Sequence, residues 1–115
     1  MAPRDPGTIP IPKASEHNTS ETANTDILAT ALSPSFTPSL FRVMISVATA
    51  AKFSEKITKA AVAKTVAFNS GQDVIAGALY MFDHLVHEGD TINYQLDGSV
   101  TLNVLRVQEI VAASQ

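Results

Sequence analysis

Eight consecutive residues, Leu40-Phe41-Arg42-Val43-Met44-Ile45-Ser46-Val47, place large apolar side chains at every second position. Successive side chains of a β-strand point to opposite faces, so this period of two predicts a strand with one face toward a core. The side chains on that face are Phe41, Val43, Ile45 and Val47. The run therefore leads us to expect an all-β protein.

The next segment, residues 48–67, allows two interpretations. Alternation continues through Phe53 and Ile57 and returns at Val62 and Val66, as expected for strands. The same segment is rich in alanine and has apolar residues four positions apart, which also fits a short helix. Because the neighbouring strands follow at intervals of about 5 to 10 residues, we favour strands in a small β-sandwich or jelly-roll-like body.

A β-hairpin is predicted for residues 91–104. A three-residue loop at residues 96–98 pairs apolar with apolar residues on one face, for example Tyr94 with Val100, and polar with polar residues on the other. In this register Gly98 occupies the left-handed conformation that a G1 bulge requires and that glycine adopts freely.

The last predicted strand changes phase. Leu102 and Val104 share one face, whereas Leu105 and Val107 lie on the opposite face. A strand that is apolar on both faces is either central in a sheet or pressed against another subunit. The alternative is a β-bulge near Val104, which shifts the alternation by one residue.

The composition changes near residue 25. Prolines are concentrated in the first dozen residues, and the polar stretch that follows has no periodicity. Such a segment buries too little apolar area to offset its ordering entropy, so we expect an extended N-terminal arm over residues 1–25 and a folded body over residues 26–115. Ile9 and Ile11 are the isolated apolar side chains with which the arm would dock on a neighbour.

Length, charge and cysteine content exclude several classes of protein. The 115 residues suffice for one domain, and the absence of cysteine excludes disulfide frameworks and thiolate zinc sites. A net charge of −3 does not fit nucleic-acid binding, which needs clustered basic residues. No apolar run is long enough to span a bilayer, and no secretory signal is visible.

No motif in the sequence specifies a reaction. His84 and His87 lie in an acidic stretch, but on a strand their side chains point to opposite faces, so they converge on a metal ion only if a turn begins between them. Ser70 lacks the preceding glycine of a nucleophile elbow. We therefore expect no catalytic residues, no metal site and no cofactor, and a protein that is not an enzyme.

The combination of a Pro-rich arm, a cysteine-free β body and the stretch Gly89-Asp90-Thr91-Ile92-Asn93-Tyr94-Gln95 resembles the small virion proteins of tailed bacteriophages. The resemblance is strongest to capsid decoration (cement) proteins, and the run Leu102-Asn103-Val104-Leu105-Arg106-Val107 contributes to it. Such proteins are β-rich modules, often trimers, that lie over the junctions of capsid subunits. The resemblance implies a structural protein on the capsid surface.

From this resemblance we expect a homotrimer whose partners are the major capsid protein or other virion subunits. The expected partner-binding residues are Ile9 and Ile11 in the arm and Leu105 and Val107 on the second face of the last strand. Two other functions remain open. One is a tail, baseplate or fibre subunit, and the other is a ligand-binding β-sandwich module.

Overall fold

Seven β-strands make up most of the chain in a computed structural model that describes residues 8–35 and 38–112. The strands are β1 (Thr8–Ser20), β2 (Ser39–Val47), β3 (Phe53–Lys59), β4 (Val62–Ala67), β5 (Tyr80–Val86), β6 (Thr91–Leu96) and β7 (Thr101–Ala112). They form a four-stranded sheet in the order β1-β7-β2-β5 and a three-stranded sheet in the order β4-β3-β6. All pairs are antiparallel, which confirms the predicted all-β fold.

The alternation at residues 40–47 is confirmed as the inner face of β2. Phe41, Val43 and Ile45 have no exposed surface, while Arg42 and Met44 between them are half-buried on the outer face. The buried residues of β7, β3 and β6 complete the core between the two sheets. Burial of each large apolar side chain contributes about 1.5–3 kcal/mol, which makes this layer the main source of stability.

Residues 48–67 form strands, as predicted, and not the alternative helix. β3 and β4 pair from Ser54–Ala67 to Lys59–Val62, so that only Ala60 and Ala61 remain in the turn. Both alanines have positive φ angles, 51° and 66°. Two successive left-handed residues are typical of a type I′ hairpin turn, whose twist matches that of the strands.

The predicted hairpin at residues 91–104 is wrong. β6 belongs to the three-stranded sheet and β7 to the four-stranded sheet, so residues 97–100 cross from one sheet to the other. Two strands that face each other across a core present matched apolar faces just as a hairpin does, and this match misled the prediction. Asp97 binds the backbone of Lys52 instead, and Gly98 is not among the residues with a positive φ.

The phase change in β7 results from a bulge. Ser46 lies opposite Val104 and Val47 lies opposite Leu102, so Asn103 is the extra residue relative to β2. Leu102 and Leu105 therefore both face the core, although they are three residues apart. β7 is also a central strand, flanked by β1 and β2, and its core residues Leu102, Leu105 and Val107 have no exposed surface.

The predicted arm includes β1. Residues 1–7 lie outside the described residues, and Thr8–Ser20 runs antiparallel to β7 of the same chain as an edge strand. Pro10 and Pro12 cannot donate to a ladder, and proline within a sheet is confined to edge strands and bulges. Such prolines are compatible with an extended edge strand as well as with the free extended chain that the composition predicts.

The connection after β1 covers the open edge of β6. The backbone N–H groups of Asn24, Ile27 and Leu32 donate to carbonyl oxygens of β6 over 2.7–2.9 Å. The buried side chain of Asn93 accepts from the N–H of Leu28 at 3.0 Å and donates to its carbonyl at 2.9 Å. This part of the chain protects an edge that would otherwise offer unpaired backbone groups to other strands.

Candidate assembly surfaces and buried polar clusters

The outer face of the four-stranded sheet carries two apolar rows. In one row, the strand registers place Leu85 beside Leu40 and Leu40 beside Ile110. In the other row, Met81 lies beside Met44. Leu85 and Met81 are 60% and 58% exposed, and the other three side chains are half-buried. We call these five residues the apolar outer face, and exposed apolar surface bordered by polar residues is typical of interaction sites.

An ion pair lies between the two apolar rows. Arg42 donates two parallel hydrogen bonds to the carboxylate of Asp83, over 2.9 and 3.0 Å. These hydrogen bonds hold the pKa of Asp83 below its ordinary value and raise that of Arg42. Because each charge is neutralised by its neighbour, the pair can be covered by a partner at a lower desolvation cost than an isolated charge.

The four predicted partner-binding residues fall in two different environments. Ile9 is 49% exposed and Ile11 is half-buried, both on the edge strand β1. Leu105 and Val107 have no exposed surface and pack in the core between the sheets. The two residues of β7 therefore fill this chain's own interior, and the apolar surface that is available to a partner lies elsewhere.

A buried carboxylate joins β1 to the rest of the fold. Glu109 on β7 is completely buried, and its Oε2 accepts hydrogen bonds from the N–H of Ser35 at 2.8 Å and the hydroxyl of Ser39 at 2.5 Å. The ammonium group of Lys13 lies 3.5 Å from Oε1 and 6.0 Å from the centre of the Phe41 ring. Lys13 reaches this position from the irregularity between Pro12 and Ala14 in β1.

The environment of Glu109 favours its charged form. Burial by itself raises the pKa of a carboxyl group, because it penalises the charge. Here the hydrogen bonds from Ser39 and Ser35 and the charge of Lys13 outweigh burial, and the pKa of Glu109 lies below its ordinary value. We call Glu109 and Lys13 the β1 latch, since one partner comes from β1 and the other from β7.

A second buried cluster lies between the sheets. Glu55 of β3 is nearly buried, and its Oε2 contacts Nδ1 of His84 on β5. Nε2 of His84 is 2.9 Å from the hydroxyl oxygen of Tyr94 on β6. The three residues thus link both sheets through side chains that emerge on the inner face.

The order of carboxylate, histidine and tyrosine is that of a proton relay. The side chains around the three residues, however, are those of a hydrophobic core. Tyr94 has no exposed surface, and burial together with the negative charge of Glu55 raises the pKa of its hydroxyl. An activated nucleophile needs the opposite shift and a path for substrate. The rings of Phe53, Phe68 and Phe82 stack against one another beside the cluster, with centroids 4.8–6.4 Å apart. The arrangement can orient and stabilise the two sheets.

One shallow groove lies beside the β1 latch, because Ser35, which donates to Glu109, is part of its lining. It has a volume of about 320 Å³ and is lined by residues 33–35 and 88–91. Within residues 8–35 and 38–112, no three histidine or acidic side chains come together as a metal site would require. The same residues include no helix that is long and apolar enough to cross a membrane.

Comparison with known proteins adds no assignment. No protein-family model matches this chain, and no curated protein sequence matches it significantly. Any function must therefore be argued from the surfaces and clusters described above.

Sequence reasoning missed the two buried carboxylates and the apolar outer face. Glu55 alternates with Phe53 and Ile57, and Glu109 follows Val107 in the same alternation, so both occupy core positions by parity. The signal in the sequence that could have revealed both buried carboxylates is their position in the alternation of apolar residues along each strand. The residues of the apolar outer face lie at the polar positions of their strands, and only the neighbouring strands in the sheet bring them together.

Proposed function

We propose that this chain is a non-enzymatic structural protein of a virion, a capsid decoration protein that clamps neighbouring shell subunits. The apolar outer face is the observation on which the proposal depends. Two of its side chains are more than half exposed, on a sheet whose other face already covers the core. Apolar side chains exposed on the outer face of a sheet suit attachment to another protein surface better than binding of a small ligand, which needs a concave site.

Three features support an assembly role. The body is a small sandwich in which, within the described residues, β1, β4 and β5 each pair on one side only, so these edges are available to neighbours. β1 adds an extended segment of 13 residues at one edge. The partner would be the major capsid protein or another virion subunit, the location the capsid surface, and the assembled form a homotrimer.

A ligand-binding sandwich receives less support. Such modules bind glycans on exposed aromatic platforms, whereas Phe41, Phe53 and Tyr94 are completely buried in this chain. The half-buried rings of Phe68 and Phe82 stack on each other and on Phe53. Their faces are therefore already occupied.

Immunogold labelling of particles released by cells that carry the gene tests the proposal. An antibody against the purified chain is expected to label the heads at regularly spaced positions. Label confined to tails would overturn the decoration role and support a tail, baseplate or fibre subunit. Absence of label on intact particles, with the chain present only in the supernatant, would overturn both.

A further inference from the structure

β1 is attached to the fold by one neighbouring strand. Among the strands that the structure describes, it pairs with β7 alone, and none of the residues 9–20 is buried. Separation of β1 from β7 would therefore break backbone hydrogen bonds and the β1 latch while leaving the large side chains of the core in place. In contrast to the core strands, β1 is a removable element.

The site that β1 occupies on β7, however, requires an occupant. Glu109 is completely buried, and Lys13 is the cation that lies within ion-pairing distance of it in the described part of the chain. Loss of one partner from a buried ion pair is strongly destabilising, because it leaves an uncompensated charge in the interior. The vacant edge of β7 would also expose its unpaired backbone groups.

We infer that β1 is exchanged between copies of this chain, so that β1 of one copy lies along β7 of the next and its Lys13 pairs with the neighbour's Glu109. Exchange reproduces every contact that β1 makes within one chain, which is why it is a low-cost route to oligomers. When each copy donates to the next, the contacts close into a ring, as a trimer would require. The inference deepens the proposed clamping role and rests on it.

The structure defines where the chain would change direction. β1 ends at Ser20, and beyond it the N–H of Glu21 donates to the carbonyl of Val100 at 2.9 Å and the N–H of Ala23 to the hydroxyl of Ser99 at 3.1 Å. Residues 21–23 are the hinge at which exchange would redirect the chain, and these two hydrogen bonds would have to break there or form again with the neighbouring copy.

Other ways of joining copies through strand edges are less suitable. Pro10 and Pro12 provide no N–H groups, so the first half of β1 cannot accept a further strand with a complete ladder. The edge of β4 carries Lys64 between Val62 and Val66, and antiparallel pairing of two β4 strands about this residue would oppose two ammonium groups. Exchange of β1 avoids both difficulties.

Disulfide formation between two singly substituted full-length proteins tests the exchange. Ser15 lies directly opposite Arg106, and the chain has no cysteine of its own, so Ser15→Cys and Arg106→Cys place the two thiols at the β1–β7 contact. Directly opposite Cα atoms are about 4.5–5.5 Å apart, within the range of a disulfide. One protein carries a tag to change its mass, and the two are unfolded together in urea, refolded and oxidised.

A matched control uses Met44→Cys in place of Arg106→Cys. Met44 lies opposite Arg106 on the far side of β7, one strand farther from β1, and it is half-buried on the same outer face. Exchange predicts about tenfold more mixed disulfide for the Ser15–Arg106 pair than for the control pair, because donation of β1 raises the local concentration of one thiol at the other. Addition of Lys13→Ala to the Ser15→Cys protein is expected to lower this yield.

The outcomes separate exchange from the proposed function. Equal yields for both pairs, with light scattering reporting an oligomer of the unsubstituted protein, would overturn exchange and leave the clamping role intact. Equal yields with a monomer by light scattering, and no label on particle heads, would overturn both. A mixed disulfide specific to the Ser15–Arg106 pair supports exchange in either case.

Discussion

Glu109 shows how one residue connects the sequence pattern to the stability of the N-terminal strand. It occupies a core position by parity and is compatible with the core only because Ser35, Ser39 and Lys13 provide hydrogen bonds and charge. Removal of one member of such a network leaves the remaining members buried and unsatisfied.

The substitution Glu109→Gln tests this dependence. We expect it to reduce the free energy of unfolding by about 1–3 kcal/mol, because the amide keeps the shape but leaves Lys13 without its counter-ion. Urea unfolding followed by circular dichroism at pH 7 provides the measurement. Glu88→Gln, at an exposed position, is the control, and an equal effect of the two substitutions would contradict the role of the β1 latch.

The pKa of Glu109 predicts an acid dependence of stability. Its folded-state pKa lies below the ordinary value of 4.5, so the unfolded chain binds the proton more readily. The stabilising contribution is therefore present above pH 4.5 and is lost as the pH falls through the folded-state pKa. Urea unfolding from pH 7 down to pH 3 should show a smaller loss of stability in Glu109→Gln than in the unsubstituted protein. Asp83 contributes equally to both proteins, and parallel curves would contradict the assignment.

Tyr94 gives a corresponding prediction in alkali. Burial raises its pKa above the ordinary value of 10.0, so its stabilising contribution is present below pH 10 and is lost as the pH rises toward the folded-state value. The chain has two tyrosines, and Tyr80→Phe leaves Tyr94 alone. In this variant we expect the phenolate absorbance near 295 nm to increase only together with the loss of the circular dichroism signal. Ionisation within the folded protein would show that the hydroxyl is accessible.

At the scale of the elements, β2 could be predicted from its alternation alone, because Phe41, Val43, Ile45 and Val47 place a large apolar side chain at every second position. The pairing of β6 and β7 could not, because matched apolar faces fit a hairpin and also two strands facing each other in different sheets. Asp97 and Gly98 resembled a turn, yet Asp97 binds Lys52 on a different connection, a contact that no local pattern contains. The role of the proline-rich segment could not be predicted from its sequence either, because a free arm and an edge strand both have an extended conformation.

The bulge at Asn103 provides a test at this scale. Deletion of Asn103 would remove the extra residue of β7 and shift the alternation of its side chains by one position. Leu105, Val107 and Glu109 could then face the core only if the residues before the bulge turned outward. We expect the deletion to abolish cooperative thermal unfolding. Asn103→Ala keeps the residue and loses mainly the 3.3 Å hydrogen bond to Ser46, at a cost of about 0.5–1.5 kcal/mol. A deletion variant as stable as Asn103→Ala would show that the bulge does not set the phase.

At the scale of the whole molecule, the two sheets and the latch form the interior, and the apolar outer face and β1 remain for neighbours. In the proposed assembly these features have separate roles: exchange of β1 would join copies to one another, and the apolar outer face would attach them to the shell. A substitution in the outer face should therefore affect attachment without affecting the fold or the number of copies in the oligomer.

The double substitution Met81→Lys and Leu85→Lys tests this division. Both side chains are more than half exposed, so two ammonium groups can remain in water in the free protein, and we expect the melting temperature and the mass from light scattering to be unchanged. Attachment would bury these charges against an apolar partner, and we expect binding to fall by at least about tenfold.

Co-sedimentation with particles from cells in which the gene is deleted measures this binding. The double substitution Ile75→Lys and Leu79→Lys, at comparably exposed sites outside the apolar outer face, controls for the two added charges. Normal binding of the double variant would exclude this face as the contact with the shell, whereas an altered mass would show that the same face joins copies of the chain.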